Sequence, residues 1–192
     1  YVEVSAHSRI TENNDIVTDF QTDKLMEQIL QSDNLNKAYQ KVKSNKGAGG
    51  VDGMSVDELL TFLKNYGKLL VQKLRDGKYK PNPVRRVEIP KETKGETRKL
   101  GVPTVVDRVF QQAITQVITP IYERQFSENS YGFRPKRGAH DALKQYQQNV
   151  NDGYVYVVDM DLEKFFDTVC QSKLIEVLSR TIKDGKVISL IH

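Results

Sequence analysis

The stretch that decides the fold is Tyr154-Val-Tyr-Val-Val-Asp-Met-Asp-Leu-Glu-Lys-Phe-Phe-Asp167. Its first part, residues 154–161, is predicted to be a β-strand, and a helical turn is predicted to begin just after it. Because side chains alternate along a strand, Asp159 and Asp161 are expected to share one face at its C-terminal end. Ligand sites of α/β proteins favour that end of a strand.

The spacing of the two aspartates is compatible with two interpretations. Neighbouring carboxylates repel each other, and a divalent cation allows both to remain ionised. Mg²⁺ suits such a site because it needs few carboxylates and shares its other positions with water and phosphate. Alternatively, one aspartate caps the following helix and the other faces water. The spacing alone favours this second interpretation.

The rest of the chain predicts an α/β (α+β) protein that is rich in helix and carries one basic β-hairpin. Apolar periodicity predicts helices at 23–30, 35–43, behind Ser55 to near Gly77, from Asp107 onward, at 139–150 and at the end of the chain. Asp23 is expected to cap the first helix, and Ser55 with Glu58 forms a predicted capping box. The extended segments 84–89 and 97–102, joined by the polar stretch 91–96, predict the hairpin.

Composition excludes several classes of protein. Hydrophobic residues make up 38% and charged residues 28% of the 192-residue chain, which is ordinary for a globular protein. The apolar runs are far too short to span a bilayer, and the acidic N-terminus lacks the apolar core of a signal peptide. Cys170 is the single cysteine, so no intramolecular disulfide can form and a reducing compartment is expected.

The charge of the chain is unevenly distributed. The whole chain carries a net charge of +4, whereas residues 1–33 hold two basic and seven acidic residues. Residues 72–108 hold eleven basic and five acidic residues, so this one segment is more positive than the entire chain. Such clustering suits a polyanion, most commonly a phosphate backbone, although a solvated basic surface remains the alternative.

Six motifs together resemble the reverse transcriptases of group II introns. The box Asp159-Met-Asp-Leu-Glu-Lys-Phe-Phe-Asp167 is similar to the first catalytic motif of that family. The other five are a glycine-rich lid loop, the two strands of the fingers hairpin, the helix after it and the connector to the palm. They lie at residues 45–53, 83–91, 98–103, 107–112 and 130–138. Because the boxes occur in the family's order, chance is a poor explanation.

The resemblance implies a metal and nucleotide site around the aspartate box. The family's metal-binding aspartate corresponds to Asp161, and the backbone carbonyl of Leu162 would join the same Mg²⁺ ion. One phenylalanine of the box would pack under the incoming sugar and exclude a 2′-hydroxyl. This role is assigned to Phe165, with Phe166 as the other candidate.

The resemblance also implies contacts from the basic hairpin and the loops. A nucleoside triphosphate needs cations opposite its β and γ phosphates, and Arg85 and Lys91 are the expected residues. Template or intron RNA contacts are expected at Lys46, Gly47, Gly49, Gly50, Arg86, Arg98, Lys99, Arg134 and Lys136. For part of this set, plain surface charge remains the alternative. Tyr131 and Phe133 of the connector are expected either to stack on bases or to anchor their loop.

The function implied is RNA-directed DNA polymerisation by the fingers and partial palm of a right-hand polymerase. Residues 1–22 are expected to be a mobile lead-in, 23–138 the N-terminal extension and fingers, and 139–192 the start of a truncated palm. The expected partners are template RNA, intron RNA, a DNA primer and dNTP, with no membrane and with homodimerisation left open. The expected location is the bacterial cytoplasm, or an organelle in a eukaryote.

Two alternatives to an active polymerase stay open. One is a non-catalytic module that binds intron RNA for splicing, and the other is a retron-type or CRISPR-associated reverse transcriptase. The family's second carboxylate box, Tyr-x-Asp-Asp, does not occur in the sequence, which contains no Asp-Asp pair. Because a two-metal site needs those carboxylates, the 192-residue chain alone is predicted to be inactive.

Overall fold

Helices dominate the computed structural model, which describes residues 22–90, 97–162 and 164–192. The helices are α1 (Leu25–Ile29), α2 (Ser32–Ser44), α3 (Leu59–Arg75), α4 (Val105–Glu123), α5 (Ala139–Asn151), α6 (Phe165–Thr168), α7 (Gln171–Thr181) and α8 (Gly185–Ile191). The strands are β1 (Arg85–Pro90) and β2 (Thr97–Val102), which form a two-stranded antiparallel sheet. A helix-rich protein with one small hairpin is therefore confirmed, and the predicted lead-in up to residue 21 lies outside the described residues. No helix in the described ranges is long and apolar enough to cross a bilayer.

The core forms where α2 and α1 pack against α4. Ala38 of α2 and Ala113 of α4 are completely buried, and small residues at these positions let the two helices approach closely. Asn34 reinforces the contact because its amide donates to the carbonyls of Ile29 and Ala113, at 2.9 and 3.0 Å. Val187 of α8 belongs to the same buried cluster, so α8 packs onto the core that α1, α2 and α4 form.

Asp184 links α8 to α1, because its carboxylate caps both helices. One carboxylate oxygen accepts from the backbone N–H groups of Lys186 and Val187, at 3.0 and 3.4 Å, at the start of α8. The other accepts from the N–H of Met26 in the first turn of α1, at 2.8 Å. The prediction that Asp23 caps α1 is therefore wrong. The helix begins after Lys24, and the carboxylate of Asp184 accepts from the N–H of Met26 in its first turn.

A buried carboxylate fixes the base of the hairpin to α4. The α4 helix begins two residues earlier than predicted, with Thr104 as its cap, and the Thr104 hydroxyl accepts from the N–H of Asp107 at 3.2 Å. Asp107 itself accepts from the hydroxyls of Tyr79 and Thr104, each at 2.6 Å, and from the N–H of Asn82 at 3.2 Å. The residues that lead into β1 are thus held against the N-terminal turn of α4.

The predicted strand at 154–161 is not formed in the structure. Residues 154–162 have no assigned helix or strand, and β1 and β2 are the only strands in the described residues. The apolar side chains of this segment are exposed, at 93% for Tyr156 and 79% for Val158. A strand is defined by hydrogen bonds to a neighbour, and no described strand lies beside this segment to provide them.

Candidate nucleic-acid and nucleotide site

The glycine-rich loop is anchored between the hairpin and α4. Arg108 of α4 donates from a terminal guanidinium nitrogen to the carbonyl of Ala48 at 2.7 Å, and Arg85 of β1 donates from Nε to the carbonyl of Gly49 at 3.1 Å. Gly50 lies against the start of α4, where an added Cβ would stand 2.6 Å from the Cα of Thr104. Only glycine fits there, because the two backbones are in contact.

The predicted template-contacting residues of this loop divide into two groups. Gly49 and Gly50 contact the protein's own backbone, so internal packing already accounts for their lack of a side chain. Lys46 is exposed and has a left-handed backbone, with φ of 47°, and Gly47 faces the guanidinium of Arg108. A contact between Lys46 and template RNA remains a prediction.

The hairpin separates its predicted cations onto two faces. Arg85 pairs with Val102 and Arg98 with Ile89, so these two arginines share one face of the sheet at opposite ends. Lys99 and Arg86 lie on the other face as diagonal neighbours, a separation of about 7–8 Å. The hairpin is therefore a two-sided basic ribbon, and Lys91 lies outside the described residues.

The aspartate box is exposed to solvent. Asp159 and Asp161 are both exposed, and neither carboxylate forms a hydrogen bond or an ion pair within the described ranges. Lys164 then turns the chain with a left-handed backbone, φ 49°, into the four-residue helix α6. The rings of Phe165 and Phe166 stand edge to face there, with centroids 5.8 Å apart.

The atoms offered by this box fit Mg²⁺. The donors are oxygens, namely two free carboxylates and the backbone carbonyl of Leu162, which suits a hard cation. No cluster of three or more His, Cys, Asp or Glu side chains that could hold a metal occurs in the described residues. The box therefore supplies a partial ligand set, to which Asp159 and Asp161 contribute carboxylates.

Arg134 is built into the connector between α4 and α5. Its side chain is 4% exposed and forms an ion pair with Glu123 of α4, with nitrogen and oxygen 2.7 Å apart. Its five N–H donors are all used, by two contacts to the Glu123 carboxylate and by the carbonyls of Glu123, Ser127 and Ser130. All five donors are thus engaged within the protein in this conformation, and a contact between Arg134 and RNA stays a prediction.

The rest of the connector projects outward around this arginine. Phe133 and Lys136 both have left-handed backbones, with φ of 56° and 59°, and the side chain of Phe133 is fully exposed. Of the two predicted roles for Phe133, anchoring the loop is excluded by this exposure. Lys136 is exposed as well and remains a predicted RNA contact.

Replacing Arg134 with Ala should destabilise the chain by about 2–3 kcal/mol, because it removes the partner of the half-buried Glu123 and leaves loop carbonyls without donors. Arg137→Ala is the matched control. Arg137 pairs with the exposed Glu128, whose pKa it holds below the usual value by hydrogen bonding. The control should cost much less, because an exposed ion pair contributes little to stability. Urea unfolding measures both, and equal losses would contradict the structural role of Arg134.

Two positions that organise the site carry only a weak signal in the sequence. The sequence predicts Asp107 as the start of a helix, whereas in the structure it holds the base of the hairpin through Tyr79 and Asn82. The spacing of Thr104 and Asp107 is that of a capping box and could have indicated the helix start. Burial raises the pKa of the Tyr79 hydroxyl, and its hydrogen bond to Asp107 adds to that rise. The Tyr79 hydroxyl therefore remains protonated and donates a hydrogen bond to the carboxylate of Asp107.

Comparison with known proteins identifies the family of the chain. Residues 89–191, more than half of the chain, match the reverse transcriptase (RNA-dependent DNA polymerase) family. The chain belongs to this family. Several relatives that it resembles are named as group II intron-encoded proteins or intron maturases.

Three relatives illustrate this kinship. The group II intron-encoded protein LtrA of Lactococcus lactis subsp. cremoris is 36% identical over 96% of this chain and 30% of its own length. Protein YkfC of Escherichia coli K12 is 36% identical over 88% of this chain and 45% of its own length. The mitochondrial nuclear intron maturase 2 of Arabidopsis thaliana is 39% identical over 44% of this chain and 11% of its own length. The chain thus spans less than half the length of each.

Proposed function

We propose that this chain forms the fingers and the first part of the palm of an RNA-directed DNA polymerase encoded by a group II intron. The observation that carries the proposal is the aspartate box, which combines free carboxylates with a left-handed turn into an aromatic pair. Backbone in rarely populated regions is concentrated at functional sites. The division into fingers up to residue 138 and palm from residue 139 is part of the same proposal.

In the proposed enzyme, Asp161 and the Leu162 carbonyl would hold Mg²⁺. When bound, Mg²⁺ would supply activation of the primer 3′-hydroxyl and charge stabilisation at the pyrophosphate. Arg85 and Lys91 neutralise the nucleotide phosphates. Phe165, or its neighbour Phe166, packs against the sugar of the incoming dNTP.

The exposed segment 154–162 is proposed to become a strand of the palm when it is paired. Its apolar side chains lie open to solvent, and its backbone lacks a described strand as a partner. A protein rarely leaves so large an apolar surface uncovered. Because the chain spans 30% of LtrA, regions corresponding to the rest of that relative are the proposed partner. The two carboxylates would then share one face of the completed sheet.

The isolated chain should bind structured RNA with a strong salt dependence, because residues 72–108 carry eleven basic against five acidic residues. Contact with about four phosphates predicts a slope of log affinity against log salt near −3 to −4. Simultaneous replacement of Arg85, Arg86, Arg98 and Lys99 with Ala should weaken binding and flatten this slope. Fluorescence anisotropy across a salt series measures both. A flat response of the wild-type chain would contradict the electrostatic proposal.

A splicing module without polymerase activity is the second candidate function. The relative in Arabidopsis is named an intron maturase, which favours a role in intron RNA binding. The two functions separate in the full-length protein, where loss of Asp161 should abolish cDNA synthesis and spare splicing. The intron-encoded relatives favour this class over a retron-type or CRISPR-associated enzyme. The proposed locations are the bacterial cytoplasm or an organelle. The proposal is compatible with either a monomer or a homodimer.

A further inference from the structure

We infer that a groove beside the C-terminal end of α3 binds a nucleotide unit of single-stranded RNA, separately from the hairpin. This lysine groove is a cavity of about 450 Å³ between α3, the loop at 78–82 and the start of α4. Its charged and aromatic lining residues are Lys73, Lys78, Lys80, Asp52, Phe62 and Tyr79. Its volume lies within the range of pockets for small organic ligands, about 300–1,000 Å³.

The turn after α3 brings the lysines of the groove together. Gly77 has φ of 67°, a left-handed conformation that glycine adopts without strain. The N–H of Lys78 then donates to the carbonyl of Lys73 at 2.8 Å, and the N–H of Gly77 donates to that of Leu74 at 3.0 Å. This pair of hydrogen bonds is a Schellman motif. It reverses the chain, so residues 78–80 return to the cavity that Lys73 lines.

Residues 78–82, which return to the cavity, are held in place by hydrogen bonds to α4. Tyr79 lies between the two loop lysines, and its hydroxyl donates to the buried carboxylate of Asp107 at 2.6 Å. The N–H of Asn82 donates to the same carboxylate. The backbone that carries Lys78 and Lys80 is therefore ordered before any ligand arrives, which lowers the entropic cost of binding.

The cations of the groove are available for an anion. Lys73, Lys78 and Lys80 are exposed, and none of their ammonium groups forms a hydrogen bond or ion pair within the described ranges. Asp52 is the one acidic side chain in the cavity lining, and it already accepts from the N–H of Met54 at 3.2 Å. Three free positive charges converging on one cavity suit a phosphate backbone.

The inner wall of the groove is apolar and aromatic. Phe62 lines the cavity and packs against Tyr66, with ring centroids 4.9 Å apart, and Met54 and Leu70 complete this wall. An aromatic face beside lysines is the arrangement with which proteins hold single-stranded nucleic acid, a base stacking on the ring while cations follow the backbone. A bare inorganic phosphate would leave this wall unused.

RNA is the partner we assign, and this step rests on the proposed function. Asn82 also lines the groove, and its side-chain amide has no hydrogen-bond partner within the described ranges. An amide carries both donors and an acceptor, so it can pair with a 2′-hydroxyl, which DNA lacks.

The test uses a labelled, unstructured uridine oligoribonucleotide of about 12 nucleotides. Its binding to the 192-residue chain is measured by fluorescence anisotropy over a salt series. Replacing Lys73, Lys78 and Lys80 together with Ala should weaken binding at least about tenfold and reduce the salt slope by about 2. Lys41, Lys64 and Lys68 to Ala is the charge-matched control. Those lysines are exposed and lie outside the groove lining, so the slope should stay unchanged.

Two further experiments test whether a base stacks on Phe62 and whether the groove prefers RNA to DNA. Phe62→Leu keeps most of the buried volume but removes the ring, and it should weaken binding about fivefold or more without changing the slope. The deoxyuridine oligonucleotide should bind more weakly than the RNA to the wild-type chain, and Asn82→Ala should remove that difference. Equal binding of the two oligonucleotides to the wild-type chain would overturn the assignment to RNA.

The outcomes separate this inference from the proposed function. If the two lysine triples behave alike while the hairpin variant still loses salt-dependent binding, the groove is refuted and the proposed function stands. If the wild-type chain binds no RNA at any salt concentration, RNA binding by the chain fails altogether. If only the groove triple and Phe62→Leu lose affinity, the groove is the main RNA contact of the chain.

Discussion

Asp161→Ala in the full-length enzyme should lower cDNA synthesis at least about a thousandfold, or about 4 kcal/mol of transition-state stabilisation. The proposed role of Asp161 is that of a ligand shared by both metal ions, and no described cluster of carboxylates stands ready to replace it. RNA binding should stay largely intact, because the basic hairpin and loop are unchanged. Primer extension at saturating Mg²⁺, with RNA binding measured in parallel, is the measurement.

Asp159→Ala is the matched control for this prediction. Asp159 lies two residues away, is equally exposed and carries the same charge, so it controls for both charge loss and local sequence. Its replacement should cost much less activity. If Asp159→Ala is inactive and Asp161→Ala is active, the metal ligand has been assigned two residues too late. If both variants remain active, the catalytic site is not in this segment.

Asp107→Ala should lower the free energy of unfolding by about 3–5 kcal/mol. Asp107 is 2% exposed, and its carboxylate accepts hydrogen bonds from the Tyr79 hydroxyl, the Thr104 hydroxyl and the N–H of Asn82. Its removal leaves the buried Thr104 hydroxyl and the part-buried donors of Tyr79 and Asn82 without this acceptor, at a cost of about 1–3 kcal/mol for each group that water cannot reach. Urea denaturation of the chain measures the loss. A change below about 1 kcal/mol would contradict the bridging role of Asp107.

Tyr79→Phe dissects the same network and adds a dependence on pH. It removes one donor and should cost about 1–2 kcal/mol. The folded-state pKa of Tyr79 is raised above its unfolded value near 10, so its contribution is fully present below that pH. As the pH rises further, the unfolded chain loses the proton first, and stability falls. The Phe variant should lack this alkaline loss, and an unchanged pH profile would show that Tyr79 is not its source.

Local patterns in the sequence were sufficient for most of the helices and for the hairpin. The apolar period of α3 and α4, the glycine after α3 and the two extended segments act within a few residues of each other, so they are legible without a tertiary context. The contact between Ser55 and Glu58 is also local, since the carboxylate of Glu58 accepts from the N–H of Ser55 at 2.9 Å. The predicted capping box is only half formed, because α3 begins at Leu59 with Glu58 as its N-cap and without a side-chain cap hydrogen bond. The pKa of that carboxylate is lowered by hydrogen bonds from Ser55.

The strand at 154–161 shows where local patterns stop being sufficient. Its composition favours extended backbone, but a strand forms only when another segment satisfies its N–H and C=O groups. In the described residues no such segment lies beside it, and its apolar side chains remain exposed. The role proposed for Asp161 therefore rests on the order of the motifs, whereas the strand predicted around it requires a partner strand that the described residues do not contain.

Contacts between residues far apart in the chain could not be predicted from the sequence. Asp184 caps α1 across 158 residues, and Arg134 forms an ion pair with Glu123 because the connector folds back onto α4. A charged residue gives the same sequence signal whether it ends in solvent or in a buried ion pair, since burial depends on what packs against it. The sequence could thus predict a reverse transcriptase with basic surfaces. The fold decided which cations are engaged within the protein, since it leaves Lys73, Lys78 and Lys80 exposed and buries Arg134.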